Sequence, residues 1–91
     1  MQVQIRLFSV LRDCLPPDAR RGRALIDLPE GTSLLDLFVR LGIDRRLGYE
    51  ASEVAGKAGW QVLVNGSYEA QMQRVLSDGD EVQVFPPVVG G

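Results

Sequence analysis

Residues 23–42, with the sequence RALIDLPEGTSLLDLFVRLG, change from one hydrophobic period to another. The first part has apolar side chains at every second position, which predicts a half-buried β-strand over residues 23–28. The inward residues of this strand are Ala24, Ile26 and Leu28. After Pro29-Glu30-Gly31 the spacing becomes i, i+3, i+4 and i+7, which is one apolar stripe of a helix. The residues of the stripe are Leu34, Leu37, Phe38 and Leu41.

The predicted helix has signals at both ends. Thr32 and Ser33 carry hydroxyls that can accept hydrogen bonds from the free N–H groups of the first turn. Ser33 and Asp36 form the S-x-x-D variant of a capping box. Gly42 can end the helix, because glycine readily adopts the left-handed conformation of that position. We therefore expect a short, strongly amphipathic helix between Ser33 and Gly42.

Four further segments predict strands, because apolar and polar residues alternate in them or because they flank a turn signal. They span residues 2–8, 60–64, 67–70 and 81–85. We expect the first of them to pair antiparallel with residues 23–28. Asn65-Gly66 is the strongest short-range signal for a hairpin, since a type I′ turn needs positive φ at both central residues. Pro86-Pro87 ends the last strand, because proline has no N–H to donate.

Two connections are less regular. Leu15-Pro16-Pro17-Asp18 breaks the pattern, and Arg20-Arg21-Gly22 prolongs this loop. Residues 43–59 contain three glycines and show no wide apolar face, so we treat them as a connection of uncertain form. The order of elements predicts a mixed sheet packed on one main helix, an α+β fold.

The alternation also places three large apolar side chains on the outer face of the sheet, away from the helix. They are Phe8, Leu63 and Phe85. Contiguous apolar area on such a face usually marks a site for a partner. Alternatively, residues 15–21 or 43–59 fold over this face and bury the three side chains.

Composition narrows the classes of function. The chain has 91 residues, which makes one domain, and it has no histidine, the commonest general base and zinc ligand. Its single cysteine, Cys14, cannot form an intramolecular disulfide, and the amino terminus lacks a secretory signal, so we expect a cytoplasmic protein. A net charge of −2 argues against a nucleic-acid partner. No apolar stretch is long enough for a membrane span, so we expect no membrane partner.

Several polar groups are candidates for a binding or reactive site. Cys14 is better interpreted as a small packing residue than as an activated thiol. Three arginines could bind phosphate, but a glycine within their loop favours a solvated segment. They are Arg20, Arg21 and Arg23. The acidic group at 78–81 lacks the distal glutamate of a calcium loop, so a solvated turn is expected and no metal site is predicted.

The carboxyl terminus is unusual. Val88-Val89-Gly90-Gly91 follows the proline pair and contains no pattern that predicts structure. We expect a domain over residues 1–87 and a flexible tail over residues 88–91. Two residues without side chains can enter a narrow channel, and four extended residues reach about 13 Å. Alternatively, the segment is a frayed terminus of no consequence.

These residues resemble the MoaD/ThiS family of ubiquitin-like sulfur carriers, which has the β-grasp fold and includes the small subunit of molybdopterin synthase. The resemblance runs over most of the chain. Its anchors are residues 3–8 with Leu11-Arg12, residues 28–32, Val64-Asn65-Gly66, residues 78–82 and residues 85–91. The proline pair before the tail is more similar to the molybdopterin branch than to the thiamin carriers.

The resemblance implies a carrier that is not an enzyme and binds no metal or cofactor itself. An E1-like adenylating enzyme of the MoeB/ThiF type uses ATP and magnesium to activate the carboxylate of Gly91, while Gly90 helps the tail to thread into the partner. A sulfur donor protein then converts Gly91 to a thiocarboxylate. The receiving partner is a molybdopterin synthase large subunit or a thiazole synthase. The implied partner-binding residues are Phe8, Leu63, Phe85, Pro86, Pro87, Val88 and Val89.

Three alternatives share the same fold. The chain carries sulfur for thiamin or another sulfur-containing metabolite. It is a ubiquitin-like protein modifier, whose activated glycine forms an isopeptide bond with lysines of target proteins. Or it is a non-covalent interaction module with an inert tail.

Overall fold

Five strands form one mixed sheet in the computed structural model, which describes residues 1–87. The strands are β1 (Gln2–Leu7), β2 (Arg23–Asp27), β3 (Gln61–Val64), β4 (Ser67–Tyr68) and β5 (Glu81–Phe85). Their spatial order is β2-β1-β5-β3-β4. The neighbours β1 and β5 run parallel, and the other neighbouring strands are antiparallel. The predicted strands are therefore present, although β4 is two residues shorter than expected.

The main helix, α1 (Leu34–Leu41), begins and ends where the sequence predicts. The Ser33 hydroxyl accepts a hydrogen bond from the Asp36 N–H, and the Asp36 carboxylate accepts one from the Ser33 N–H, each at 3.1 Å. This reciprocal pair is the predicted capping box. Gly42 follows in the left-handed conformation and closes the helix. The helix is thus fixed at both ends by local chemistry.

The hydrophobic core lies between α1 and the inner face of the sheet. Most of its fully buried side chains come from alternate strand positions and from one stripe of α1. They include Val3, Ile5, Leu7, Leu34, Leu37, Phe38, Val64, Val82 and Val84. The inward residues of β2, Ala24 and Ile26, are only partly buried, because β2 is an edge strand. The apolar residues that alternate along the strands, and those that recur with a period of 3.6 along the helix, therefore form the core, as predicted.

The connection over residues 43–59 is more regular than the sequence suggested. It contains α2 (Ile43–Leu47) and a 3-10 helix over Ala51–Glu53. Each piece contributes a side chain or two to the core, namely Ile43, Ala51 and Val54. The glycines divide the segment into pieces too short to show an apolar stripe, which is why no helical face was visible in the sequence.

The turn before β5 is exposed at residues 77–79, as the sequence predicted, but its last residue is not solvated. Asp80 is only 8% exposed. Its carboxylate accepts hydrogen bonds from the Asn65 side-chain amide at 2.9 Å and from the Ser77 N–H at 2.8 Å. The Asn65 carbonyl oxygen in turn accepts from the Glu81 N–H at 2.9 Å. The Asp80 carboxylate therefore connects the turn before β5 with the turn between β3 and β4. Residues 1–87 contain no cluster of three metal-ligating side chains.

The first connection contains a 3-10 helix over Ser9–Cys14, which places Leu11 in the core. Cys14 packs against the core and is half-buried. Burial raises the pKa of the Cys14 thiol, and the nearby positive charge of Arg46 opposes this only in part. These features support the interpretation of Cys14 as a packing residue.

Among the described residues, no helix is long and apolar enough to cross a lipid bilayer.

Candidate functional site

The site begins where the central strand β5 ends. Because β1 and β5 are parallel, their carboxyl ends meet at the same edge of the sheet. Phe85 is the last residue of β5, and Phe8 directly follows β1. The two rings stack, with centroids 4.2 Å apart and planes inclined by 19°. The chain therefore leaves the sheet towards residue 91 beside a stacked aromatic pair.

Both rings are half-buried. The sequence allowed either an exposed outer face or one covered by a loop, and the observed burial lies between these two outcomes. They cover each other, and the guanidinium of Arg6 lies 4.8 Å from the centre of the Phe8 ring. At this distance the cation is attracted to the aromatic face. The alternation rule thus predicted the correct face, and contacts within that face explain the partial burial.

Leu63 also lies on the outer face and is half-buried. Its cross-strand partner is Tyr68, which is 73% exposed and donates a hydrogen bond from its hydroxyl to the side-chain oxygen of Gln61 at 3.2 Å. Leu25 on β2 is 65% exposed. Our sequence reasoning did not single out Tyr68 or Leu25. Leu25 lies between two inward residues, so strand alternation predicts that it faces outward. The register of the hairpin predicts the same for Tyr68.

The proline pair is held against the body of the domain. Pro86 and Pro87 are half-buried, and Pro87 lies over Gly59 at the end of the 43–59 connection. A Cβ atom placed on Gly59 would be 3.7 Å from the Cβ of Pro87. Val88, Val89, Gly90 and Gly91 lie outside the described residues, so their predicted roles stay predictions.

The groups around the start of the tail suit binding. Besides the guanidinium of Arg6, they are aromatic, aliphatic, amide and proline side chains, namely Phe8, Phe85, Leu63, Gln61 and Pro87. Such groups bury area and hold a chain in place, but they do not accept or release protons near neutral pH. This part of the surface is therefore suited to bury apolar area against another surface.

Comparisons with known proteins agree with this fold. The sequence model of the ThiS family matches residues 5–91. A putative molybdopterin converting factor, subunit 1, from Pyrococcus furiosus is 28% identical, with a TM-score of 0.64 over 96% of this chain and 98% of that chain. SAMP1 from Haloferax volcanii is 23% identical, with a TM-score of 0.64 over the whole of both chains.

A third structure is the complex of subunits 1 and 2 of the molybdopterin-converting factor from Helicobacter pylori 26695. The matching chain is 21% identical, with a TM-score of 0.56 and full coverage of both chains. No curated protein sequence matches this chain significantly. Since the family match spans residues 5–91, the chain belongs to the ThiS family and is a ubiquitin-like sulfur carrier of the MoaD/ThiS type with the β-grasp fold.

Proposed function

We propose that this chain carries sulfur as a thiocarboxylate on Gly91 and delivers it in molybdopterin biosynthesis, as the non-catalytic small subunit of a molybdopterin synthase. The observation that carries the proposal is the family match, which continues through the paired glycines to residue 91. The likeness to the Pyrococcus furiosus protein, 28% identical over nearly the whole chain, supports the molybdopterin branch.

The proposed cycle needs an activating partner. A carboxylate is a poor electrophile because oxide is a very poor leaving group. An E1-like adenylating enzyme, holding ATP and magnesium, attaches AMP to the Gly91 carboxylate and releases pyrophosphate. The persulfide sulfur of a donor protein then attacks the acyl group and displaces AMP, which leaves readily, to give an acyl disulfide. A thiol reductant cleaves the S–S bond and becomes disulfide-bonded to the donor cysteine, so that the chain keeps a terminal thiocarboxylate. The thiocarboxylate sulfur is a soft nucleophile near neutral pH. We place the cycle in the cytoplasm, where thiols stay reduced.

The outer face of the sheet is the proposed docking surface. It presents Phe8, Leu63 and Phe85 next to the point where the tail begins. Half-buried aromatic residues at the centre of a contact contribute strongly to binding once they are desolvated. Pro86 and Pro87, held against the domain, set the direction in which residues 88–91 enter the large subunit. In this proposal the partner supplies the substrate pocket and every proton-transferring group.

Deletion of Gly91 and the substitution Gly91→Trp test the role of the tail. We expect both variants to lose ATP-dependent pyrophosphate release with the adenylating enzyme, and to keep the thermal unfolding midpoint of the parent protein. Gly56→Ala is the matched control, because a methyl group there meets open space. Thiocarboxylate formation at the parent rate after deletion of Gly91 would contradict the proposal.

A second candidate is the protein modifier. Small archaeal modifier proteins are among the structures that this chain resembles, although at 23% identity the likeness to SAMP1 shows the fold alone. Both functions begin with the same adenylation of the terminal glycine, so the products distinguish them. A mass gain of sulfur minus oxygen supports the carrier, whereas conjugates linked to lysines of other proteins support the modifier.

A further inference from the structure

Three arginines lie side by side in one row on the outer face of the sheet. Arg6 on β1 is the direct cross-strand partner of Arg23 on β2. Arg23 also pairs with Arg20 through an antiparallel bridge on its other side. Directly opposite residues in antiparallel pairs project to the same face, with Cβ atoms about 5 Å apart. The three side chains, which we call the arginine row, therefore form a continuous basic strip.

The arginine row is fixed by a tight turn. Arg20 and Arg23 exchange two backbone hydrogen bonds of 2.9 Å, and the intervening Arg21 and Gly22 have φ of 54° and 75°, as a type I′ turn requires. Gly22 packs so closely that an added Cβ would lie 2.7 Å from the Leu7 carbonyl oxygen. The segment that the sequence predicted as a solvated loop is thus an extension of the sheet.

The positive charges of the arginine row are not neutralised within residues 1–87. None of the three guanidiniums forms an ion pair there. The ion pairs found within residues 1–87 all involve other side chains or the amino terminus. The Nε atom of Arg6 is buried and has no hydrogen-bond partner among the described residues. Like charges placed directly opposite each other destabilise a sheet. This arrangement is therefore costly in the free protein and would be relieved by an anionic group.

The row continues into the proposed docking surface. Arg6 is the cross-strand partner of Gln83, Gln83 of Leu63, and Leu63 of Tyr68. Arg6 also lies over the Phe8 ring. One line of side chains thus crosses the sheet from basic to apolar. A protein that covers Phe8 must also cover Arg6.

Charge is sorted along the outer face. Asp18 lines a shallow cavity beside Arg20 and Arg23 but forms no ion pair with them within residues 1–87. The acidic strand residues of this face, Asp27 and Glu81, pair with Gln2 and Gln4, which precede Arg6 on β1. Since the whole chain has a net charge of −2, the basic character is local to the end where the tail begins. A local field of this kind orients an approaching acidic surface.

We infer that the arginine row binds carboxylate side chains on the partner protein that docks over the outer face. Guanidinium and carboxylate groups match in a bidentate geometry, and the contact removes the repulsion within the row. This inference rests on the proposed function, which supplies the partner. It adds that the partner carries an acidic group at the place that meets Arg6 and Arg23, next to the pocket for the Phe8 ring.

The test compares Arg23→Gln with Arg40→Gln. Arg40 is an exposed arginine on α1, on the opposite side of the sheet, so both variants lose one positive charge. The probes are the purified adenylating enzyme and the purified synthase large subunit, titrated at low and high salt. We expect Arg23→Gln to weaken binding of at least one partner about tenfold at low salt, with a smaller effect at high salt. Arg40→Gln should bind as the parent protein does.

A second measurement separates a binding role from a structural one. Because Arg23 faces like charges, Arg23→Gln should keep or raise the thermal unfolding midpoint of the free protein while it loses affinity. Arg6→Gln and Arg20→Gln, which also lose one positive charge each, repeat the comparison in case one variant is poorly folded.

The outcomes are distinguishable. If Phe85→Ala loses binding while the arginine variants bind like the parent protein at both salt concentrations, the proposed function stands and the inference is overturned. If the arginine variants lose affinity only through a lower unfolding midpoint, the inference is also overturned. If neither partner binds the parent protein, the proposed function fails and the inference fails with it.

Discussion

Phe85→Ala removes one half of the aromatic stack at the base of the tail. Full burial of a phenylalanine side chain contributes about 1.5–3 kcal/mol, so a half-buried ring loses about 1–2 kcal/mol when it is truncated. The stacked contact with Phe8, with centroids 4.2 Å apart, adds about 1 kcal/mol. We expect the free energy of unfolding to fall by about 2–3 kcal/mol and the unfolding midpoint by roughly 10–20 °C.

The same substitution should weaken docking. A ring at the centre of an interface contributes more than about 1 kcal/mol to binding, which is more than about a fivefold change in Kd. Isothermal titration with the adenylating enzyme and with the synthase large subunit measures this, at a temperature where the variant is folded. Tyr49→Ala is the matched control, because Tyr49 is a 40% exposed aromatic residue in the loop after α2.

A double-mutant cycle with Phe8→Ala isolates the stack. The reasoning predicts a coupling free energy of about 1 kcal/mol in stability, since the rings contact each other directly. Parent affinity for both partners in Phe85→Ala, or an equal loss in Tyr49→Ala, would refute the docking surface. Additive effects of Phe8→Ala and Phe85→Ala on stability would refute the energetic role of the stack.

Three further predictions concern the described residues. Gly22→Ala should lower the free energy of unfolding by at least about 1–2 kcal/mol in urea titrations, because of the positive φ and the 2.7 Å approach to the Leu7 oxygen; unchanged stability would contradict this. A hydrogen bond from Arg74 holds the pKa of Glu69 below its usual range, so its stabilisation is present above the unfolded-state pKa and is lost as pH falls through the folded-state pKa. Arg74→Gln should raise the pKa of Glu69 in an NMR titration, and an unchanged pKa would exclude this cause. Alkylation of Cys14 at neutral pH should be slower than that of an unstructured cysteine peptide, because burial raises the pKa of the thiol; equal rates would contradict the packing role.

Local chemistry explains what could be predicted from the sequence. Ser33, Asp36 and Gly42 determine the ends of α1, and the observed capping box has the predicted partners. Asn65-Gly66 produces the expected turn, with φ of 52° and 83°. Strand parity identified the outer face, because a one-residue change of register would expose every core side chain of the strand.

The rest depends on contacts between distant parts of the chain. Parity placed Phe8 and Phe85 on one face, but only the parallel pairing of β1 with β5 brings the rings together. The contact of Pro87 with Gly59 likewise joins two residues that lie far apart in the sequence. Asp80 appeared to be solvated, because its partner Asn65 lies in a different turn. The hydrophobic period of a strand shows which face of the sheet a side chain occupies. Which side chains contact each other depends on tertiary packing.

Intact-mass and fragment-ion mass spectrometry of the chain tests the central claim most directly. The protein is incubated with the adenylating enzyme, ATP, magnesium, the persulfide form of the sulfur donor protein and a thiol reductant. We predict a mass increase equal to sulfur minus oxygen, carried by the fragment that ends at Gly91 and absent when ATP is omitted. An unchanged mass under these conditions, or sulfur carried by Cys14, would contradict the account.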